Sequence, residues 1–466
     1  MKRIIGTMTD IARIVGGRPR GRITDTALDA VSIDSRHIPE GALFFAIAGE
    51  RTDGHLYLEE AFQKGAAAAV VQTGSSHLDR LPDGSSWIEV EDTLEALQVL
   101  AAHVRTLYPI PVIGVTGSSG KTTTKDLIRG VLSTRRNVLA SEGSFNNEIG
   151  LPLTIFALDT AVDVLVVEMG MRGLGQIDAL CRIARPDIGV ITNVGVTHME
   201  LLGSAENIFL AKGELVDFIG SQGHCVLNAQ DRWTPRMKSR CRGQIHLYGF
   251  SAEAVLRAED IRYNGKQSLF TMVHGPDRVT VTLPYPGEHH VLDALAAAAC
   301  GRILGISLED CARGLQQARL SGNRMHFLPG LSGATVINDC YNANPDSTRA
   351  SLEVLASQQG RPSAVLGDMR ELGALQVDEH RKIGRLAAQL GLTFLATVGP
   401  MARDIRTGAL EAGMAKEHTA SFDSNEEAAR WMAERTGSGD VILIKGSRAV
   451  GMEQIVEMLT KEEPTT

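Results

Sequence analysis

One stretch limits what this chain can fold into more than any other: Val112-Ile113-Gly114-Val115-Thr116-Gly117-Ser118-Ser119-Gly120-Lys121-Thr122-Thr123-Thr124. It reads as a buried strand, a glycine turn and the start of a helix. Gly117 and Gly120 let the backbone turn tightly, so that amide N–H groups converge on one concavity. At a helix N-terminus such a concavity suits phosphate oxygens. Lys121 would reach the β- and γ-phosphates of a nucleotide, the Thr122 hydroxyl would hold Mg2+, and Ser118, Ser119 and Thr123 complete the cradle. The common pattern places one more Gly five positions before the Gly-Lys pair, where this chain has Val115. The other reading of the same residues is a plain strand–turn–helix corner.

A strand feeding a helix this way implies neighbours of the same kind, and the rest of the chain supplies them. Its 466 residues suffice for about three domains. The spacing predicts an α/β chain: a small α/β domain over 1–108, a central phosphate-loop domain with a mostly parallel sheet over 109–320, and a strand–helix alternation over 321–466. Tyr108-Pro109-Ile110-Pro111 is the first linker, since prolines end the preceding helix. The second break falls between 321 and 333. In the first domain the pattern predicts a helix capped by Thr9, strands at 30–36, 41–47, 67–71 and 87–90, and helices at 56–64 and 93–107. The central strands are 112–116, 164–167, 188–192 and 225–227. An antiparallel addition includes 279–283, and helices follow at 291–303 and 307–317. The last domain has strands at 335–338, 364–366, 394–398 and 441–445, with helices near 347–357, 379–390, 402–412, 425–434 and 452–459. Residues 461–466 read as a frayed polar tail.

Charge and cysteine usage narrow the function. A net charge of -8 argues against nucleic acid or a membrane surface as partner. No apolar run approaches about 18 residues, and none follows Lys2 and Arg3, so neither a membrane span nor a signal peptide is expected. The six cysteines contain no Cys-x-x-Cys pair, which fits reduced thiols in a cytosol better than a disulfide framework or a zinc site.

Several strand ends deliver polar chemistry. Asp163-Val164-Leu165-Val166-Val167-Glu168 is a buried strand ending in a carboxylate, and hard oxygen is the donor that Mg2+ prefers. Glu168 is either such a ligand or a surface glutamate. His198 follows the strand at 188–192 and is either a metal ligand or a structural imidazole. Lys212, on a helix, is either a solvated surface lysine or one whose charge is removed beside metal and phosphate. The loops around Asp34-Ser35-Arg36 and Thr52-Asp53-Gly54-His55 could bind a ligand or could be ordinary turns.

Taken together these residues resemble the Mur ligase family of ATP-dependent amide-forming enzymes of bacterial peptidoglycan synthesis, over essentially the whole chain. Thr116-Gly117-Ser118-Ser119-Gly120-Lys121-Thr122 is similar to that family's phosphate loop, which also lacks the first Gly. The resemblance implies that Glu168 is a magnesium ligand, His198 a metal ligand and Lys212 a carbamylated lysine. It also implies an N-terminal UDP-substrate domain, a central ATPase domain and a C-terminal Rossmann-like domain. Asn146-Asn147-Glu148-Ile149-Gly150-Leu151-Pro152, Glu168-Met169-Gly170-Met171-Arg172-Gly173, Asp339-Cys340-Tyr341-Asn342-Ala343-Asn344-Pro345 and Val365-Leu366-Gly367-Asp368-Met369-Arg370-Glu371-Leu372-Gly373 resemble the member that adds D-alanyl-D-alanine.

The activity so implied joins D-alanyl-D-alanine to UDP-N-acetylmuramoyl-tripeptide through an acyl phosphate, with ATP and Mg2+, in a cytoplasmic monomer that neither binds nucleic acid nor enters a membrane. Lys121, His198 and Lys212 would be catalytic, and Thr122, Glu168, His198 and Lys212 would hold metal. Arg324 and Asp339 would contact the nucleotide, Ser35 and Arg36 the uridine diphosphate moiety, with Asn146 and Asn147 also on the substrate side. The chain departs from the family at Gly287-Glu288-His289-His290-Val291-Leu292-Asp293, where His290 and Asp293 replace two adenine-side asparagines. Asp can still accept a hydrogen bond from the adenine amino group, and His can donate or accept one. The alternatives are a related carboxylate–amine ligase of tripeptide-forming or folylpolyglutamate type, and a nucleotide-binding paralogue without turnover.

Overall fold

The computed structural model describes residues 5–23, 27–49, 52–197 and 199–460. The fold is α/β throughout, and its contacts group into two compact units. One comprises Met1–Gly114, Arg136–Met171 and Gly175–Ile188, the other Val115–Arg135, Arg172–Leu174 and Gly189–Thr466.

In the first unit a five-stranded sheet runs in the order Arg18–Gly21, Ser86–Val90, Ala68–Gln72, Leu43–Phe45, Val31–Ser32. It is parallel except for Arg18–Gly21, which pairs antiparallel with Ser86–Val90. The first helix, Met8–Val15, is capped by Thr7 and not Thr9, because Thr7 and Asp10 form a reciprocal capping box. The strand expected over 30–36 shrinks to Val31–Ser32. The Ser32 hydroxyl accepts from the Asp34 amide at 3.2 Å and lies 3.1 Å from the Asp34 carbonyl oxygen, a side-chain turn that replaces the ladder. Helix Thr93–Thr106 starts at Asp92, whose carboxylate accepts from the Leu94 and Glu95 amides. Its Arg105 is buried, donates from Nε to the Ala184 carbonyl at 2.9 Å and from Nη2 to Ile110 at 3.0 Å, and also reaches the Tyr108 carbonyl. The proline linker is therefore held from inside. The same unit contains Val138–Ala140 parallel to Val164–Glu168.

The second unit carries two sheets. In one, Leu256–Asn264, Gln267–His274 and Asp277–Leu283 form the antiparallel addition. Gln244–Gly249 and His224–Asn228 continue it in parallel. The other has the order His326–Pro329, Thr335–Asn338, Asp440–Lys445, Arg361–Gly367, Phe394–Val398, Thr419–Phe422 and is parallel except at its first strand. The segment read as a break thus holds an edge strand. Successive residues of these strands feed opposite cores: Ala364, Leu366 and Leu443 pack with Leu352, Ile383 and Ile405, whereas Val365, Ile442 and Ile444 pack with Met432 and Ile455. Helices cover both faces, which is why the central strands carry apolar residues on both sides.

The helix that follows the phosphate loop, Lys121–Leu132, is fixed by glycines. A Cβ on Gly314 of helix Leu308–Gln317 would lie 2.6 Å from the Gly130 carbonyl, and one on Gly301 of helix Glu288–Ile303 would lie 2.6 Å from Val131. All six cysteines are free thiols, with the Cys225 and Cys241 sulfurs 2.8 Å apart.

Alanine at a helical glycine ordinarily gains about 1 kcal/mol of helix propensity. Gly314→Ala is expected to lose about 1–3 kcal/mol instead, because the added methyl overpacks the helix crossing. Urea unfolding checks this, and a variant as stable as the parent contradicts the close approach.

Candidate nucleotide site

Strand Val112–Thr116 is fully buried and stops at Gly117, whose φ of 156° begins the turn. The turn is fastened from behind by residues 192 and 193. The Ser118 amide donates to the Asn193 carbonyl at 3.0 Å, and the Ser119 amide to Asn193 Oδ1 at 2.9 Å. Thr192 Oγ1 and Asn193 Nδ2 both donate to the Ser119 carbonyl, at 2.6 and 3.0 Å. Ser118 Oγ accepts from the Gly195 amide at 2.9 Å. A Cβ at Gly117 would overlap the Thr192 hydroxyl, and one at Gly120 would lie 2.6 Å from Asp293 Oδ1. With φ of 80°, Gly120 caps helix Lys121–Leu132 without a side-chain hydrogen bond. The Ser118 and Ser119 amides are thus taken up by Asn193, and what the loop leaves for an anion is the N-terminus of helix Lys121–Leu132, a position that suits phosphate oxygens.

Lys121 heads the helix, and its Nζ bends back to the Gly117 carbonyl at 2.9 Å. Thr122, buried, accepts from Arg324 Nη2 at 3.2 Å. Arg324 also donates from Nη1 to the Ser321 carbonyl at 2.7 Å and stacks 3.8 Å above the Tyr341 ring. The Asp126 carboxylate accepts from both the amide and the hydroxyl of Ser321 at 2.7 Å. Asp339, at the end of strand Thr335–Asn338, accepts from Lys445 Nζ at 2.5 Å, from Ser351 Oγ at 2.6 Å and from the Met325 amide at 3.2 Å. Ser119 Oγ and the Asn344 side-chain amide are 3.0 Å apart.

Lys445, Ser351 and Asn344 are not among the site residues expected from the sequence. Lys445 and Asn344 did carry a signal: one ends a strand before the turn Gly446-Ser447-Arg448, and the other precedes a helix-starting proline.

Lys212 lies within helix Ala205–Phe218 and is buried. Burial first, then the Lys121 charge, holds its pKa well below the ordinary lysine range, so the neutral amine is favoured. A solvated surface lysine is excluded. His290 is also buried, with Nδ1 2.8 Å from the Pro286 carbonyl. Asp293 is buried and accepts from the Thr124 hydroxyl at 2.9 Å, so it faces the base of the phosphate loop. Burial pushes its pKa up to about 8 despite that hydrogen bond. His198 lies outside the described residues.

The remaining candidates belong to the first unit. Glu168 ends its strand fully buried, and its Oε1 accepts from Asn146 Nδ2 at 2.7 Å. Asn147 turns its Oδ1 to the Gly150 amide at 2.9 Å, at the start of helix Gly150–Phe156. The buried Ser35 donates to Glu60 Oε2 at 2.6 Å. Arg36, exposed, forks onto Asp34 with bonds of 2.8 and 2.7 Å, and that hydrogen-bonded fork holds the Asp34 carboxyl far below its usual range. His55 bridges Asp53 Oδ1, at 2.6 Å, and the Gln72 amide, at 2.9 Å.

Three family descriptions match the chain in succession: "Mur ligase family, catalytic domain" over residues 28–105, "Mur ligase middle domain" over 115–301 and "Mur ligase, glutamate ligase domain" over 323–448. The chain is 36% identical over 456 residues to the UDP-N-acetylmuramoyl-tripeptide--D-alanyl-D-alanine ligase of Bacillus subtilis (strain 168), covering 97% of this chain and 98% of the relative. Its fold is similar to the crystal structure of MurF from Acinetobacter baumannii, with a TM-score of 0.88 and 31% identity over 97% and 98% of the two chains. It is also similar to MurF ligase from Thermotoga maritima in complex with ADP, with a TM-score of 0.80 and 29% identity over 92% and 96%.

Asp293 gives a pH signature. Its folded pKa of about 8 exceeds the unfolded value near 3.9, so the folded state keeps a proton that the unfolded state has lost between those limits. This group alone therefore makes stability fall with rising pH across that window, by up to about 1.4 kcal/mol per pH unit, and levels off above it. Asp293→Asn should flatten the dependence between pH 5 and 8 in urea unfolding. Parallel curves for parent and variant contradict a buried, protonated Asp293.

Proposed function

Since the chain belongs to the Mur ligase family, we propose that its phosphate loop serves ATP-driven joining of D-alanyl-D-alanine to UDP-N-acetylmuramoyl-tripeptide, a step of peptidoglycan precursor synthesis. The observation that carries this reading is the loop over 116–122, braced from behind and faced by Lys121 and Arg324, in a chain that matches ligases of that name along nearly its whole length. We assign UDP-substrate binding to residues 1–108, the ATPase to 109–320 and the Rossmann-like domain to 321–466, in a cytoplasmic monomer. Among the described residues no helix is long and apolar enough to cross a membrane.

A carboxylate is a poor acceptor for an amine. Phosphorylation by ATP gives it a leaving group: the tripeptide carboxylate takes the γ-phosphoryl and ADP departs. The amine of D-alanyl-D-alanine then attacks the acyl carbon and phosphate leaves. In this reading Lys121 places positive charge on the equatorial oxygens of the phosphoryl in transit. Arg324, held by Ser321 and Tyr341, adds a second fixed cation at the Thr122 hydroxyl. Mg2+, when bound, would neutralise phosphate charge, and Thr122 and Glu168 are oxygen donors of the type it prefers. The buried, neutral-leaning amine of Lys212 suits carbamylation, which would make it an oxygen donor alongside His198. Ser35 and Arg36 are assigned to the uridine diphosphate, Asn146 and Asn147 to the substrate side, and His290 and Asp293 to the adenine side. Asp293 also braces the loop through Thr124.

Amine exchange in a coupled ADP-release assay tests the reading. With UDP-N-acetylmuramoyl-tripeptide present, D-alanyl-D-alanine should trigger ADP release, whereas glutamate and diaminopimelate should not. Lys121→Ala should lower kcat roughly 10²–10³-fold with the fold intact. Lys212→Ala should lose activity that a small added carboxylate partly restores, and the same acid should do nothing for Lys121→Ala. A fully active Lys212→Ala removes the carbamate assignment, and release triggered by a different amine removes the substrate.

A further inference from the structure

At the far end of helix Glu288–Ile303 from Asp293 lies a cavity of about 150 Å³ that the reaction leaves unused. Three cationic or potentially cationic side chains converge on it: His246 from strand Gln244–Gly249, His274 at the end of strand Gln267–His274, and Arg302 in the last helical turn. Leu247, Leu256, Ala299 and Ile303 supply an apolar wall. Arg302 is held in place by a 2.9 Å bond from Nη1 to the Ile306 carbonyl, while its Nε is buried without a hydrogen-bond partner. An unmatched donor is costly, and an oxyanion held by the rest of the guanidinium would offset that cost.

The surrounding charges select the sign of that acceptor. His246 sits 3.1 Å from His224 between ring nitrogens, and its pKa is lowered by burial, then by His224 and His274. His274 is lowered by burial and then by Arg302, against the opposing pull of Asp277, its partner in the ladder to Asp277–Leu283. These groups repel one another's protonation, and an anion among them would reverse that. A metal ion would meet Arg302, and the described residues contain no cluster of three or more His, Cys, Asp or Glu that could hold one. We propose that this cavity binds a small organic oxyanion, its charged head on Arg302, His274 and His246 and its compact apolar body against Leu247, Leu256, Ala299 and Ile303. Because the anion favours protonated imidazoles, binding takes up protons and strengthens as pH falls.

Benzenesulfonate and inorganic sulfate serve as probes, since neither changes charge between pH 6 and 8. The full chain, carrying labelled histidines, is titrated by NMR, with the His246 and His274 signals identified through His246→Gln and His274→Gln. Benzenesulfonate should move both signals saturably, raise both titration midpoints and bind roughly tenfold more tightly at pH 6 than at pH 8. It should also bind more tightly than sulfate. Arg302→Gln should weaken it about tenfold or more. His274→Gln, at a strand end, should lose part of the pH dependence while staying folded. Histidine signals that do not respond, equal affinity for the two probes, or unchanged affinity in both variants would overturn the site. The readout does not involve amide formation, so it is independent of the ligase assignment.

Discussion

The structure turns on how closely the phosphate loop is pressed against its support. At Gly117 and Gly120 there is no room for a side chain, because the Thr192 hydroxyl and the Asp293 carboxyl already occupy that space. The loop's inner polar groups are consumed by residues 192 and 193, so its shape does not depend on a ligand to hold it. A pre-shaped cradle spares the ordering cost that a flexible glycine loop would meet on binding. The glycine crossings of helix Lys121–Leu132 extend that rigidity into the core.

Two charged groups around the loop are fixed by several partners each. Arg324 is fixed by a carbonyl, an aromatic face and Thr122, and Asp339 is committed to Lys445 and Ser351. A buried pair such as Asp339–Lys445 contributes little net stability, but losing one partner leaves the other charged and unmatched. Its value lies in setting where the strand ends of Thr335–Asn338 and Asp440–Lys445 present their polar turns. Lys212 shows the opposite treatment: buried with a second lysine as neighbour in charge, it is pushed toward neutrality.

Much of this was legible in residue order, and the failures have physical causes. Strand 112–116 was located to the residue because it is apolar on both faces and ends at a glycine. The strands Arg18–Gly21, His326–Pro329 and Thr419–Phe422 were not, because each is a sheet edge and shows no clean burial pattern. The strand at 30–36 failed because a serine hydroxyl can capture the backbone, and pattern alone does not reveal when it will. Glu168 does end a strand, and Lys121 and Thr122 do start a helix, because those places follow from apolar runs and a glycine turn. Lys445 and Ser351 were missed because their role depends on meeting Asp339 in space.

The buried guanidinium of Arg105 has a consequence for how the chain would be cut. A connector between helix and strand is where a protease would ordinarily be expected to nick. Cleavage requires the backbone to be lifted into an extended, accessible ribbon in the protease cleft. Here the carbonyls of Tyr108 and Ile110 are anchored inward by a side chain that also grips Ala184. Lifting the tract would expose that charge and break all three bonds together, so susceptibility at 108–111 follows the opening of the surrounding structure and not the local sequence.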